Sequence, residues 1–143
     1  MTLRYLLDTN ILAEPLRPKP DNLILDRLKR HEEEIAIASV TWHEMWFGCY
    51  RLPVSARRTA IEAYLTQVVA PGIPILSYHQ KAADWHARER ARLAAVGRTP
   101  PFADGMVAAV AWTNALTLIT LNVDDFQAFD QLQCATWLEE RRP

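Results

Sequence analysis

The sequence predicts an α/β fold, a mainly parallel central β-sheet sandwiched by α-helices, and three observations predict it. Short apolar runs at 5–7, 35–38 and 117–120 lack polar alternation, as strands buried on both faces do. Stretches with helical spacing separate them, giving the strand–helix–strand order of a parallel sheet. Carboxylates then fall where strands end or where the next helices open, beside the crevice in which open α/β sheets bind ligands.

The first strand, Tyr5-Leu6-Leu7, ends in Asp8-Thr9-Asn10. A charge at the end of a buried strand is costly without a partner, so Asp8 is either a site residue or the cap of the next helix. Residues 11–14 read as a helical turn stopped by Pro15, Pro18 and Pro20. Asp21 is placed to cap a second helix reaching about Arg30, with Ile24, Leu25 and Leu28 at helical spacing. After the strand at 35–38, Ser39 or Thr41 is suited to cap a helix over 40–50, which Gly48 loosens. A fourth helix is expected over 56–69, with Ile61, Leu65, Val68 and Val69 as its apolar stripe. Pro71-Gly72 and Pro74 then turn the chain into a brief strand, Ile75-Leu76. A long helix over 79–96, a break at 97–101 and a helix over 103–114 follow, the last facing the core with Met106, Val107, Val110 and Ala111. The tail adds a small edge strand near 133–137.

The 143 residues show no linker or repeat and read as a single domain over 1–143. Half the residues are apolar and 23% are charged, an ordinary globular balance. No apolar run approaches a membrane span and no signal peptide precedes Asp8, so a cytoplasmic chain is expected. Cys49 and Cys134 form no CxxC pair and read as incidental thiols. The net charge of −1 does not announce a nucleic-acid binder. Thirteen of the sixteen basic residues are arginine, the side chain suited to bidentate phosphate contacts, although codon bias gives the same composition.

Four acids occupy comparable places: Asp8 after the first strand, Glu44 on the helix after the second, Asp104 opening a helix, and Asp125 after the last clear strand. Close together, they disfavour one another's ionised forms unless a cation intervenes. Carboxylates without histidine or cysteine suit Mg²⁺ or Mn²⁺ rather than zinc, and such a metal serves phosphoryl chemistry. Each acid also has a plainer role open to it. Glu44 completes a capping-box spacing with Thr41, Asp104 favours a helix dipole, and Asp125 suits a loop.

Four stretches resemble the PIN-domain ribonucleases, and within them the VapC toxins of bacterial toxin–antitoxin pairs. They are Leu6-Leu7-Asp8-Thr9-Asn10-Ile11, then Ser39-Val40-Thr41-Trp42-His43-Glu44 with Gly48, then the run from Pro101-Phe102-Ala103-Asp104 to Ala109, and finally the run from Leu118 to Asp125-Phe126. The resemblance implies a PIN-like fold and Mg²⁺- or Mn²⁺-dependent cleavage of RNA, tRNA included, by a metal-activated water. It also implies a cognate antitoxin and a homodimer. By position, Asp8, Glu44 and Asp104 match the family's metal-site acids, with Thr9 and Asn10 as polar support and Ser39 as a nearby hydroxyl. Many relatives carry an acid directly after Thr-Arg, where this chain has Asn122 after Thr120-Leu121. Asp125 matches an acid in numerous relatives, so either Asn122 or Asp125 completes the site.

Trp42, Met45, Trp46 and Cys49 share one helical face, with Phe47 and Tyr50 off it. That helix is either deeply buried or presents Trp42, Trp46, Phe47 and Tyr50 to a partner. Arg88 and Arg92, one turn apart, and Arg98 are candidates for RNA phosphate contacts or for a solvated face. His79 and His86 lack further metal ligands and suit core or surface roles.

Two other readings remain. One is a PIN-like RNA- or protein-binding module without catalysis, which the uncharged Asn122 keeps open. The other is an Asp-based phosphoryl acceptor of the receiver or dehalogenase kind. Asn10 stands where a dehalogenase has its second acid, and Lys19, Lys29 and Lys81 are not placed for a receiver.

Overall fold

A computed structural model describes residues 2–138. Its centre is a five-stranded sheet formed by β1 (Tyr5–Leu7), β2 (Ile35–Ala38), β3 (Ile75–Leu76), β4 (Thr117–Ile119) and β5 (Cys134–Ala135). The order is β3-β2-β1-β4-β5 and every pairing is parallel. The chain therefore builds outward from β1 in one direction and returns to its other side with β4. That reversal, between β1 and β4, is where such a sheet opens a crevice at its carboxyl ends.

Alternate strand residues serve the two faces, the period-2 consequence of the pleat. Leu6, Ala36, Ala38 and Leu118 pack with Trp85, Leu93, Val107, Val110, Phe126 and Phe129 on one side. Leu7, Ile35, Ile37 and Ile119 pack with Ile11, Leu12, Ile24, Met45, Ile61, Leu65 and Trp137 on the other. Burial on both faces is why these strands lack polar alternation.

Asp8 caps α1 (Thr9–Leu12), which begins two residues before the expected turn. Pro15 does not end helical structure but sits in the 3₁₀ turn Glu14–Leu16. Asp21 caps α2 (Asn22–Arg30) as expected, its side chain accepting from the Leu23 and Ile24 amides. The cap expected of Ser39 or Thr41 is absent. The helix α3 (Ser39–Tyr50) already starts at Ser39 with Ala38 at its N-cap, and it continues through Gly48. Thr41 lies inside it with a buried hydroxyl that has no partner among the described residues.

Ser55 caps α4 (Ala56–Tyr64), which runs on through a π-helical turn, Leu65–Val69, into α5 (Ala70–Gly72). Wider i→i+5 bonding places Leu65 and Val69 in the core and leaves Val68 exposed, so the expected stripe holds except at Val68. The long α6 (Gln80–Ala95) is capped by His79, and α7 (Phe102–Thr113) starts after Pro101. Met106 is only partly buried, unlike Val107, Val110 and Ala111. Among the described residues no helix is long and apolar enough to cross a membrane.

Candidate active site at the strand-order reversal

The Leu7↔Ile119 register places Asp8 beside Thr120 at the carboxyl ends of β1 and β4, and the Asp8 amide donates to the Ile119 carbonyl at 2.9 Å. Each oxygen of the Asp8 carboxylate has a donor. Oδ1 accepts from the Thr9 amide at 2.9 Å and Oδ2 from the Thr120 hydroxyl at 2.8 Å. Asp8 is thus both the cap of α1 and a member of the crevice, and the two roles raised by its sequence position coexist.

Glu44 reaches the same place from α3. Its Oε1 accepts from the Thr9 hydroxyl at 3.0 Å, so Thr9 joins two acids, one through its amide and one through its side chain. The capping-box alternative for Glu44 fails because Thr41 does not occupy an N-cap. Asp104 comes from the first turn of α7, whose dipole by itself favours a carboxylate. Its pKa is nevertheless pushed up to about 6, first by burial and then by the charges of Asp8, Asp125 and Glu44. The Asp8 pKa is also raised by burial, opposed by the Thr120 and Thr9 hydrogen bonds and reinforced by Asp125. The four acids therefore share one electrostatic environment.

Asp125 arrives on the 3₁₀ turn Val123–Asp125. That turn is anchored by Asn122, whose amide donates to the Thr120 hydroxyl at 3.0 Å. Asn122 thus acts here through its backbone, while Asp125 contributes the fourth charge. Thr120, fully buried between Asp8 and Asn122, is the site residue that sequence reasoning missed. The signal was present in the alignment of two strand ends: a threonine directly after one strand, an aspartate directly after its neighbour.

The remaining candidates fall in different places. Asn10 is exposed on α1 and makes no hydrogen bond to the four acids, whereas Ser39 lines the same cavity as Glu44. Arg92 is held by Glu89, through bonds of 3.0 and 2.8 Å, and donates to the Ala128 carbonyl at 2.8 Å. Glu89 also accepts from the Asp130 amide, so this arginine ties α6 to the segment before β5. Arg88 and Arg98 are exposed. On α3, Met45 and Cys49 are buried, Trp42 and Trp46 are partly covered, and Phe47 and Tyr50 are exposed. His86 is a core residue that meets the Tyr78 hydroxyl at 2.9 Å.

The donor set fits a hard divalent cation. It consists of carboxylate oxygens, with mutual repulsion that a cation relieves. Among the described residues no group of three such side chains is arranged to hold an ion as it stands. Mg²⁺ is compatible with that open arrangement, because it keeps several waters and takes only one or two carboxylates.

A family profile described as "PIN domain" matches residues 5–132. The chain is 30% identical to "Toxin FitB" of Neisseria gonorrhoeae, over 92% of this chain and 97% of that one. It is 29% identical to a "tRNA(fMet)-specific endonuclease VapC" of Shigella flexneri, over 94% of this chain and 98% of that one. Its fold superposes on the crystal structure of FitAcB from Neisseria gonorrhoeae with a TM-score of 0.83 and 28% identity, covering 91% of this chain and 95% of that chain.

Proposed function

We propose, from the fact that this chain belongs to the PIN-domain family, that it is a divalent-metal-dependent endoribonuclease and the toxin of a two-protein module. The observation that carries the reading is the meeting of Asp8, Glu44, Asp104 and Asp125 in one electrostatic environment at the strand-order reversal. The endonuclease and toxin names of its relatives support it.

Of Asp8, Glu44 and Asp104, one or two would bind Mg²⁺ or Mn²⁺ directly and the remainder would face its waters, with Asp125 completing the charge. A cation bound there supplies Lewis-acid activation for hydrolysis of a phosphodiester to a 5′-phosphate and a 3′-hydroxyl. The chain's own part is preorganisation. Thr120 and the Thr9 amide fix both oxygens of Asp8, and the Thr9 hydroxyl fixes one of Glu44. Asp104 takes no hydrogen bond among the described residues, so its oxygens stay available. Structured RNA with an exposed single-stranded loop, tRNA included, is the substrate class, and the cytoplasm is the compartment. Trp42, Trp46 and Tyr50 form a contiguous aromatic run, with ring centroids 5.9 and 5.1 Å apart. That run is the surface we assign to the antitoxin or to a second copy in a homodimer. Arg88 and Arg98 remain available to phosphates.

The test is RNA cleavage by purified, partner-free protein with Mg²⁺, with Mn²⁺ and with EDTA. Asp8→Asn and Asp104→Asn should each reduce metal-dependent cleavage by about 10²–10³-fold, the scale of losing one charge-stabilising group. Folded protein that cleaves no cellular RNA under any of these conditions would return the chain to the binding-module reading. Cleavage surviving both substitutions would place the site elsewhere.

Thr120→Val keeps the shape of a buried side chain but strands the Asp8 Oδ2 and the Asn122 amide. Cleavage should fall about 10–100-fold, as for groups that orient metal ligands, with the metal concentration for half-maximal rate rising. Unchanged metal dependence would show that Asp8 does not need this hydroxyl.

A further inference from the structure

A cavity of about 590 Å³ is lined by Glu44, one of the four acids, and by Ala103, the chain neighbour of Asp104. Two of its lining side chains, Phe47 on α3 and Phe102 on α7, are large aromatics left 56% and 51% exposed. Neither ring contributes to either apolar core. Leaving such surface open toward water is unfavourable, and both rings lie next to the proposed chemistry rather than on a remote face.

Each ring also carries a cation. The Arg51 guanidinium sits 5.1 Å from the Phe47 centroid, and that of Arg90 sits 5.0 Å from the Phe102 centroid. With both arginines in place Phe47 and Phe102 stay more than half exposed, so the guanidiniums do not close the rings off. His43 lies nearly parallel to Phe47, at 5° and a centroid distance of 6.3 Å, and extends that platform along α3. Aromatic rings for bases, interleaved with cations for phosphates, are the recurring chemistry of single-strand binding.

We propose that Phe47 and Phe102 stack unpaired bases flanking the scissile phosphate, with Arg51 and Arg90 neutralising the adjoining phosphates. The site thereby selects single-stranded RNA over duplex, whose paired bases cannot be splayed onto the rings. The identity of the polymer rests on the ribonuclease reading, but the stacking is measurable without turnover.

The experiment uses full-length protein carrying Asp104→Asn, with Mg²⁺ present, and a short labelled unstructured RNA followed by fluorescence anisotropy. A matching RNA with abasic positions serves as the second probe. Adding Phe102→Ala or Phe47→Ala should weaken binding of the intact RNA about 10-fold each, within the range for one lost base–aromatic stack. Phe102→Trp should restore it. The abasic RNA should bind weakly to the parent and no more weakly to the alanine variants, because ring and base are lost as one interaction. Thermal unfolding of Phe47→Ala should match the parent, and Phe102→Trp, which keeps a ring against the buried His86, separates lost stacking from any loss of stability in Phe102→Ala.

Equal affinity of the parent for intact and abasic RNA would overturn the proposal. So would alanine variants that bind RNA normally but change their sedimentation, which would assign the rings to contact with a second copy. Metal-dependent cleavage by the unsubstituted protein is scored separately. Its absence beside a clear abasic effect would remove the nuclease reading while leaving the stacking intact.

Discussion

Alanine in place of Gly105 is expected to destabilise the protein by about 2–3 kcal/mol and to lower Tm by roughly 6–12 °C. A Cβ at Gly105 would overlap the His86 ring, lying 2.6 Å from Cδ2 and 2.9 Å from Cε1. The ring cannot swing away. It is buried, bonded to the Tyr78 hydroxyl at 2.9 Å, and packed against Phe102 at a centroid distance of 4.9 Å. Relief must therefore come from α6 and α7 separating, which displaces Asp104, the residue next to Gly105. Thermal unfolding of Gly105→Ala in the natural chain and in a His86→Ala background measures this directly. The cost should largely disappear in the second background, because the clashing ring is gone. An equal cost in both would mean that the helix contact is not set by this histidine.

Asp104→Asn should make the metal-free protein more stable at neutral pH while abolishing stabilisation by metal. The Asp104 pKa of about 6 in the fold lies above the ordinary aspartate value of 3.8. The folded state thus binds the proton more tightly, and the stability this confers is present below about pH 4 and lost as pH rises through about 6. Asparagine removes the charge that is penalised at the upper end. With solvent screening of this half-exposed group allowed for, the gain at neutral pH should be about 1–2 kcal/mol. It should shrink to nothing near pH 4. Thermal unfolding in EDTA across that range tests the sign. Added Mg²⁺ or Mn²⁺ should raise the Tm of the natural protein and leave the variant nearly unmoved. A variant that is less stable in EDTA at neutral pH would mean that Asp104 is not repelled by its neighbours.

The strand cores and the ends that carry acids were legible because two-sided burial forces unbroken apolar runs, and an acid ending such a run stands out. β1 and β2 fall where their apolar runs do, and Asp21 caps α2 through the residue type that caps favour. The helix over 56–72 was harder. Pro71 signals a stop, but a proline in a helix's first positions costs no hydrogen bond, so the π-helical turn passes into α5 across it. The cap of α3 was misplaced because Ser39 and Thr41 are good capping types, while β2 ends so close to the helix that Ala38 takes the position. Thr120 was hidden for a different reason. Its importance depends on strand register, which joins positions 112 residues apart, and one sequence does not print its own pairing. Phe102 likewise carries no signal of its own until α3 and α7 are seen to share a cavity.

The Asp8–Thr120 hydrogen bond also has a meaning in time. During synthesis the chain emerges from its N-terminus, and β1, α1 and Glu44 leave the ribosome long before β4 does. Asp8 has no Thr120, no Asp104 and no Asp125 to meet until most of the polypeptide has been made. A centre held together by its most distant segments stays incomplete in every shorter nascent chain. The four acids therefore come together only after the last-joined inner strand has taken its place in the sheet.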